Sequence, residues 1–253
     1  MQDARPLTLI TGASRGIGAA TARLLATRGH DLALNYARDA TSAQTLVAEL
    51  QAAHPGQRFL ALQADVANEA QVLAMFARID AELGRLKGLV NNAGIVVPAQ
   101  RLEQMEMARW QRLFAVNVFG TLLCCREAAR RMSTRQGGAG GAIVNLSSRA
   151  AQLGSPGIYA DYAASKGAVD SLTVSLGREL IAEGIRVNGV RPGIIDTEIH
   201  ADSKTTDLLP AATAGIPIQR LGRAEEIAEA IAWLLSDAAS YTVAATLDVA
   251  GGR

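Results

Sequence analysis

Of the 253 residues only two are cysteine, Cys124 and Cys125, and they are adjacent. Neighbours in sequence are poorly placed to bridge each other. The chain therefore carries no disulfide framework, and two small core residues in a reducing compartment is the reading this favours. Histidine is scarce, with three residues. His30 and His54 fall at the ends of elements, where exposure is the plain expectation. Aromatics make up 4% of the chain, whereas Ala, Gly, Leu and Val dominate it. That composition suits helices packed closely on a sheet. A basic excess is missing as well: 25 Lys and Arg stand against 24 Asp and Glu. This argues against a polyanionic partner such as nucleic acid. No apolar run approaches the roughly 20 residues that span a bilayer. Residues 1–6 include Asp3 and Arg5, unlike a secretory leader. A soluble, cytoplasmic protein with no membrane association is expected.

Short β-rich runs alternate with longer helical ones. Strands are expected at residues 7–11, 31–36, 59–63, 86–90, 142–146, 186–190 and 246–249. Helices are expected at 17–28, 40–53, 69–83, 162–183 and 224–235, with a long stretch at 103–135 that breaks near its start. Gly29 and Gly184 are stop signals, as are Pro55 and Gly56. Alternation of this kind implies a parallel sheet covered on both faces, with ligands at the carboxyl ends of its strands. Residues 196–218 break the rhythm. They show no clear period and include Pro210 and Pro217, as a substrate loop or surface excursion would.

The first chemical signal is Thr11-Gly12-Ala13-Ser14-Arg15-Gly16-Ile17-Gly18, between the first strand and the first helix. Residues without a Cβ let backbone approach a pyrophosphate at a helix N-terminus. The second strand ends Leu34-Asn35-Tyr36-Ala37-Arg38, with no acid at its tip to bind a ribose 2′-hydroxyl, and Asp39 comes too late. Arg15 and Arg38 instead suit a 2′-phosphate. This favours NADP(H) over NAD(H), although Arg38 as a solvated side chain would leave both forms acceptable. Tyr162 and Lys166 lie four apart on a helix and share one face. A cation beside a phenol lowers its pKa, and a tuned Tyr exchanges a proton with a carbonyl or alcohol oxygen.

Taken in order, the glycine turn, Asp65-Val66, Asn91-Asn92-Ala93-Gly94, Asn117, Ser148, Tyr162-x-x-x-Lys166 and Pro192-Gly193 resemble the short-chain dehydrogenase/reductase family over essentially the whole chain. The resemblance implies a single Rossmann-type domain over 1–253: a doubly wound, seven-stranded parallel sheet with helices on both faces and a substrate loop near 196–218. It implies NAD(P)-dependent hydride transfer between nicotinamide and a carbonyl or alcohol. Tyr162 would be the acid/base. Lys166 would support it and grip the nicotinamide ribose, and Ser148 would hold the substrate oxygen. Asn117 would hold a relay water, against the simpler reading of a satisfied core Asn.

The cofactor would further meet Gly12, Ser14, Gly16, Ile17, Gly18, Asn35, Tyr36 and Ala37, and Asp65 and Val66 at adenine. Asn91 would steady the sheet while Ala93 and Gly94 admit the ribose. Pro192, Gly193, Ile195 and Thr197 would hold the carboxamide. The Ser148–Tyr162 interval is one residue longer than the family's commonest spacing, and a loop at 152–158 would absorb it; Ser147 is the other candidate. Tyr159 lacks a lysine four residues on and is expected to border the pocket. His200, alternating with Asp196 and Glu198, invites a metal reading, but the family needs no catalytic metal and none is expected. A homo-oligomer, commonly a tetramer, is implied. The sugar-dehydrogenase-like and 3-oxoacyl-carrier-protein-reductase-like branches both look similar. A sensor that binds cofactor without turnover and a family isomerase or dehydratase are the other readings, and intact Tyr162 and Lys166 count against the sensor.

Overall fold

The computed structural model describes residues 5–198 and 209–253. Seven parallel strands form one sheet: β1 (Leu7–Ile10), β2 (Asp31–Tyr36), β3 (Phe59–Gln63), β4 (Leu86–Asn91), β5 (Gly141–Leu146), β6 (Ile185–Pro192) and β7 (Thr246–Val249). Their order is β3-β2-β1-β4-β5-β6-β7. The order reverses direction between β1 and β4, and a crevice opens there at the carboxyl ends of the strands.

Helices cover both faces, because successive strand side chains point to opposite sides. Leu9, Leu89, Ile143 and Val187 face one core. That core is closed by α3 (Glu69–Glu82), α5 (Gly120–Met132) and α7 (Ala160–Leu180). Ile10, Val90, Val144 and Val190 face the other, under α1 (Gly16–Thr27), α2 (Ala40–Ala53) and α9 (Ala224–Leu235). Cys124 and Cys125 are buried free thiols in the first core, with burial holding both well above the usual thiol pKa, Cys125 at about 12.

Local chemistry explains the helix starts. Asp39 caps α2 by accepting from Ser42 N at 2.9 Å, and Asn68 caps α3 by accepting from Gln71 N at 3.1 Å. Gly184 (φ +77°) ends the turn after α7 in a left-handed conformation that a side chain would strain.

Three expectations about elements need correction. The long stretch after residue 103 is three helical pieces: α4 (Met107–Phe114), a π-helical turn (Ala115–Phe119) and α5. The π turn inserts one extra residue, so helical periodicity alone does not see it. A short helix, α6 (Ala150–Leu153), follows β5. Part of the irregular 196–218 stretch is also helical, as α8 (Leu209–Ala214), while residues 199–208, His200 among them, lie outside the described residues.

Candidate active site

A cleft of about 1130 Å³ runs along the carboxyl ends of the strands. Of the residues assigned from the sequence to catalysis or cofactor binding, all but Gly18, Asn91 and Asn117 line it. These three stand behind its wall. A Cβ on Gly18 would sit 2.4 Å from Gly12 O and 2.6 Å from Asn92 Nδ2, so the glycine is needed for the turn itself. Asn91 bonds Asn145 Oδ1 at 2.9 Å within the sheet. Asn117, in the π turn, is held at both ends of its amide. Ile95 N donates to its Oδ1 at 2.8 Å, and its Nδ2 donates to Ile95 O at 3.0 Å and Ser165 Oγ at 3.1 Å.

The glycine turn is braced from two sides. Asn35 accepts from Gly12 N at 3.2 Å through its side chain and from Ala13 N at 2.8 Å through its carbonyl. Its amide also donates to Ala64 O at 3.0 Å. Asn92, not among the predicted site residues, donates to Thr11 O at 2.9 Å and Gly12 O at 2.8 Å. Thr11 Oγ1 in turn accepts from Asn92 N and Ala93 N, both at 3.0 Å. These bonds join β1, β2 and β4, and no local pattern announces them. Beyond the turn, α1 presents its first backbone N–H groups to the cleft, which suits an anion. Arg15 and Arg38 are exposed on the same rim. Asp39 lines it too, but its carboxylate is engaged as the α2 cap, and that bond and the nearby charge of Arg15 keep its pKa low. Asp65 pairs with Arg112 at 3.1 Å. The cradle therefore fits a phosphorylated dinucleotide: glycine backbone for the pyrophosphate, cations at the ribose end, and no uncommitted acid at the β2 tip.

At the other end the reacting groups converge. Tyr162 and Lys166 project from the first turns of α7. Lys166 is 5% exposed. Its Nζ donates to Leu146 O at 2.7 Å and lies 5.8 Å from the centre of the Tyr162 ring. Of the two serines after β5, Ser148 lies close enough to the Tyr162 phenol for its hydroxyl to favour the ionised form, while Ser147 turns inward and donates to Lys166 O at 3.1 Å. Between Ser148 and Tyr162 the chain turns sharply after α6, where Gly154, Ser155 and Gly157 all adopt positive φ.

One electrostatic expectation is reversed. Burial pushes Tyr162 up to about 12, and the nearby Ser148 hydroxyl offsets only part of that. Burial brings Lys166 down to about 8 in spite of Asp170 nearby. Desolvation opposes charge on both groups, so the phenol is protonated at neutral pH.

A further pair escaped the sequence reading. Arg109 of α4 grips Asp161, the residue before Tyr162, through Nε–Oδ2 at 2.6 Å and Nη2–Oδ1 at 3.2 Å. Asp161 Oδ1 also accepts from Tyr162 N at 2.9 Å. Arg109 Nη1 reaches Pro98 O at 2.6 Å and so ties the cleft wall after β4 to the start of α7. No group of three or more His, Cys, Asp or Glu residues among those described could hold a metal ion.

A seven-stranded Rossmann sheet with a glycine turn at its switch point and a Ser-Tyr-Lys cluster across the cleft is the architecture of a dinucleotide-dependent oxidoreductase. Comparison with known proteins agrees. Residues 12–253 match the family model described as enoyl-(acyl carrier protein) reductase. An uncharacterized oxidoreductase of Escherichia coli, YgfF, is 50% identical over 98% of this chain and 99% of its own. The cis-4-hydroxycyclohexanecarboxylate dehydrogenase of Sinomonas cyclohexanicum is 42% identical over 98% and 96%. The 3-oxoacyl-[acyl-carrier-protein] reductase FabG of Staphylococcus aureus is 38% identical over 96% of both. Among solved structures, a short chain dehydrogenase from Burkholderia cenocepacia in complex with NADP superposes with TM-score 0.89 at 34% identity, covering 98% of this chain and 97% of that one. The chain belongs to the short-chain dehydrogenase/reductase family of oxidoreductases.

Proposed function

We propose that this protein is an NADP(H)-preferring enzyme, with NAD(H) use possible, that interconverts a carbonyl and an alcohol, the whole chain forming one catalytic domain. The observation that carries the reading is the Ser148–Tyr162–Lys166 cluster facing the glycine turn across one cleft. When bound, the nicotinamide supplies or accepts the hydride. In reduction, Ser148 Oγ and Tyr162 Oη donate to the carbonyl oxygen while charge builds on it. Tyr162 then passes its proton to that oxygen, and Ser148 keeps the oxygen in place. The protonated resting phenol suits this direction. In oxidation Tyr162 first gives up its own proton to solvent and, as the phenolate, then takes the proton of the alcohol, the Lys166 ammonium 5.8 Å from the ring centre favouring that ionised form. Lys166, Gly94 and the turn after β6 hold the nicotinamide end. That turn is fixed by Gly193 N donating to Val249 O at 3.0 Å and Arg149 N to Pro192 O at 3.0 Å. Asn117 sits behind Gly94, where a Cβ would lie 3.4 Å from both Asn117 Oδ1 and Lys166 Nζ. It keeps that wall thin and joins it to α7.

Relatives named for a hydroxycyclohexanecarboxylate and for 3-oxoacyl groups support the CH–OH/C=O class. Two buried free thiols fit a cytoplasmic location, and no helix among the described residues is long and apolar enough to cross a membrane. We place the active form as a homo-oligomer, a tetramer by family pattern.

The test is titration with NADPH and NADH, followed by nicotinamide fluorescence, then turnover of ketones, aldehydes, diketones and sugars by the native protein and Tyr162→Phe. NADPH is expected to bind more tightly, and the variant to lose at least about 100-fold in kcat. Equal or tighter NADH binding would overturn the cofactor preference, and undiminished turnover by the variant would overturn the mechanism.

A further inference from the structure

Behind Lys166 runs a chain of ion pairs that the chemistry described above does not use. Asp170 lies four residues after Lys166 and so on the same face of α7, one turn on. Arg191, the β6 residue before Pro192, donates through Nε to Asp170 Oδ2 at 2.8 Å. Its Nη1 donates to Asp248 Oδ1 of β7 at 3.2 Å. Asp248 Oδ2 in turn accepts from Nη1 of Arg149, the residue after Ser148, at 2.7 Å. The side chains of Asp170 and Arg191 are each 16% exposed. Arg191 is divided between two carboxylates, and Asp170 Oδ1, shut off from solvent, has no hydrogen-bond partner. Among the described residues the Tyr159 hydroxyl, at the cleft, is the one other buried side-chain atom in that state. A carboxylate oxygen taken out of water without a hydrogen bond is costly and calls for an explanation. The charge of Asp170 reaches Lys166 and favours its ammonium form against burial. The other groups about Lys166 are uncharged at neutral pH: the Tyr162 phenol on its own helix, Leu146 O and Ser147 at the end of β5, and Gly94 with Asn117 in the cleft wall.

We propose that Asp170 is a positioning residue that acts through Lys166: held in place by Arg191, it sets a fixed negative charge one helical turn behind the lysine, so that Lys166 presents an ammonium group to the cofactor ribose and to the Tyr162 ring. The proposal rests on the carbonyl/alcohol reading above. A neutral amine would make weaker hydrogen bonds to ribose hydroxyls and would not favour the phenolate. The two members of the ion pair are not equivalent in this role. Asp170→Asn and Arg191→Gln break the same contact, but only the first removes the charge that Lys166 meets.

The chain has three lysines, so labelling with ε-13C-lysine gives few NMR signals, and the one lost in Lys166→Met belongs to Lys166. Its titration midpoint in the native protein is expected at about 8. Asp170→Asn is expected to lower that midpoint by at least about half a pH unit, and Arg191→Gln to leave it at or above the native value. The kcat/KM for NADPH reports ionisations of the free enzyme, and its alkaline decline is expected to begin lower in Asp170→Asn by the same interval. An unmoved midpoint in Asp170→Asn overturns the proposal. So does an equal fall in Arg191→Gln, which would make the effect one of packing, and so does a kcat/KM profile that stays in place while the midpoint moves. If Asp170→Asn does not fold, Arg191→Gln decides alone: a midpoint at or above native supports the proposal, and a lower one overturns it. Undiminished turnover by Tyr162→Phe would instead defeat the underlying reading, and the NMR titration would still decide whether Asp170 acts on Lys166.

Discussion

Lys166 and Tyr162 meet the same physics from opposite sides. Each loses solvent on folding, and each is driven toward its neutral form. For Lys166 the value falls from 10.5 to about 8. Between those values the unfolded chain holds the extra proton, so stability rises as pH rises from 8 to 10.5. For Tyr162 the value climbs from 10.0 to about 12. There the unfolded chain has already lost its proton, so stability falls as pH rises from 10 to 12. Urea unfolding across pH 8–10 should therefore show the native protein gaining on Lys166→Met as pH rises, by no more than about 3 kcal/mol, on top of an alkaline loss from the buried thiols Cys124 and Cys125 that both proteins share. A profile shared by the native protein and the variant would show that the lysine is not desolvated as described. The residue scale also shows how few side chains face the cleft for one reason only. Asn35 lines it while bracing the glycine turn, and Asp39 lines it while capping α2.

At the scale of elements, the decisive one is α7, which brings Tyr159, Tyr162 and Lys166 to the cleft and is pinned to its surroundings along its length. Ser147 bonds Lys166 O, Asn117 bonds Ser165, and Asn145 Nδ2 bonds Thr173 Oγ1 at 3.0 Å. At its start the clamp is Arg109–Asp161, whose side chains are 11% and 4% exposed. Removing one partner of a pair buried to this degree strands the other charge, at about 3–5 kcal/mol. Arg109→Ala should lower the unfolding free energy by that amount, read by denaturant titration. Arg109→Lys keeps the charge but cannot form the two-pronged contact; it should recover part of the stability while kcat stays below native. Full kcat in the lysine variant would mean that α7 finds its position without the clamp.

For the whole molecule the open surface matters as much as the cleft. Met107, Phe119 and Leu122 on α4, the π turn and α5, and Val174 and Ile181 on and after α7, are large apolar side chains left in solvent. Exposed apolar side chains gathered on neighbouring helices are the usual material of association surfaces. Sedimentation velocity should find the native protein as a tetramer, and Phe119→Asp should shift it toward smaller species. A native protein that sediments as a monomer at micromolar concentration would remove the oligomer proposal.

The sequence by itself determined the alternation of strands and helices, the place of the glycine turn, and the shared face of Tyr162 and Lys166. All of these follow from neighbours a few residues apart, where backbone periods of two and 3.6 and the special freedom of glycine are local properties. The breaks in rhythm were not legible in the same way. The π turn carries no periodic signal of its own, and a short helix such as α8 is too brief to show a period. Only the tertiary structure decided that Asn117 is satisfied by Ile95, 22 residues away. Only the fold set Arg109 against Asp161, 52 residues away, left the Tyr159 hydroxyl without a partner, and raised rather than lowered the Tyr162 pKa. Pairing across such separations and removal from water depend on what the folded chain brings together, and neither has a local imprint in the sequence.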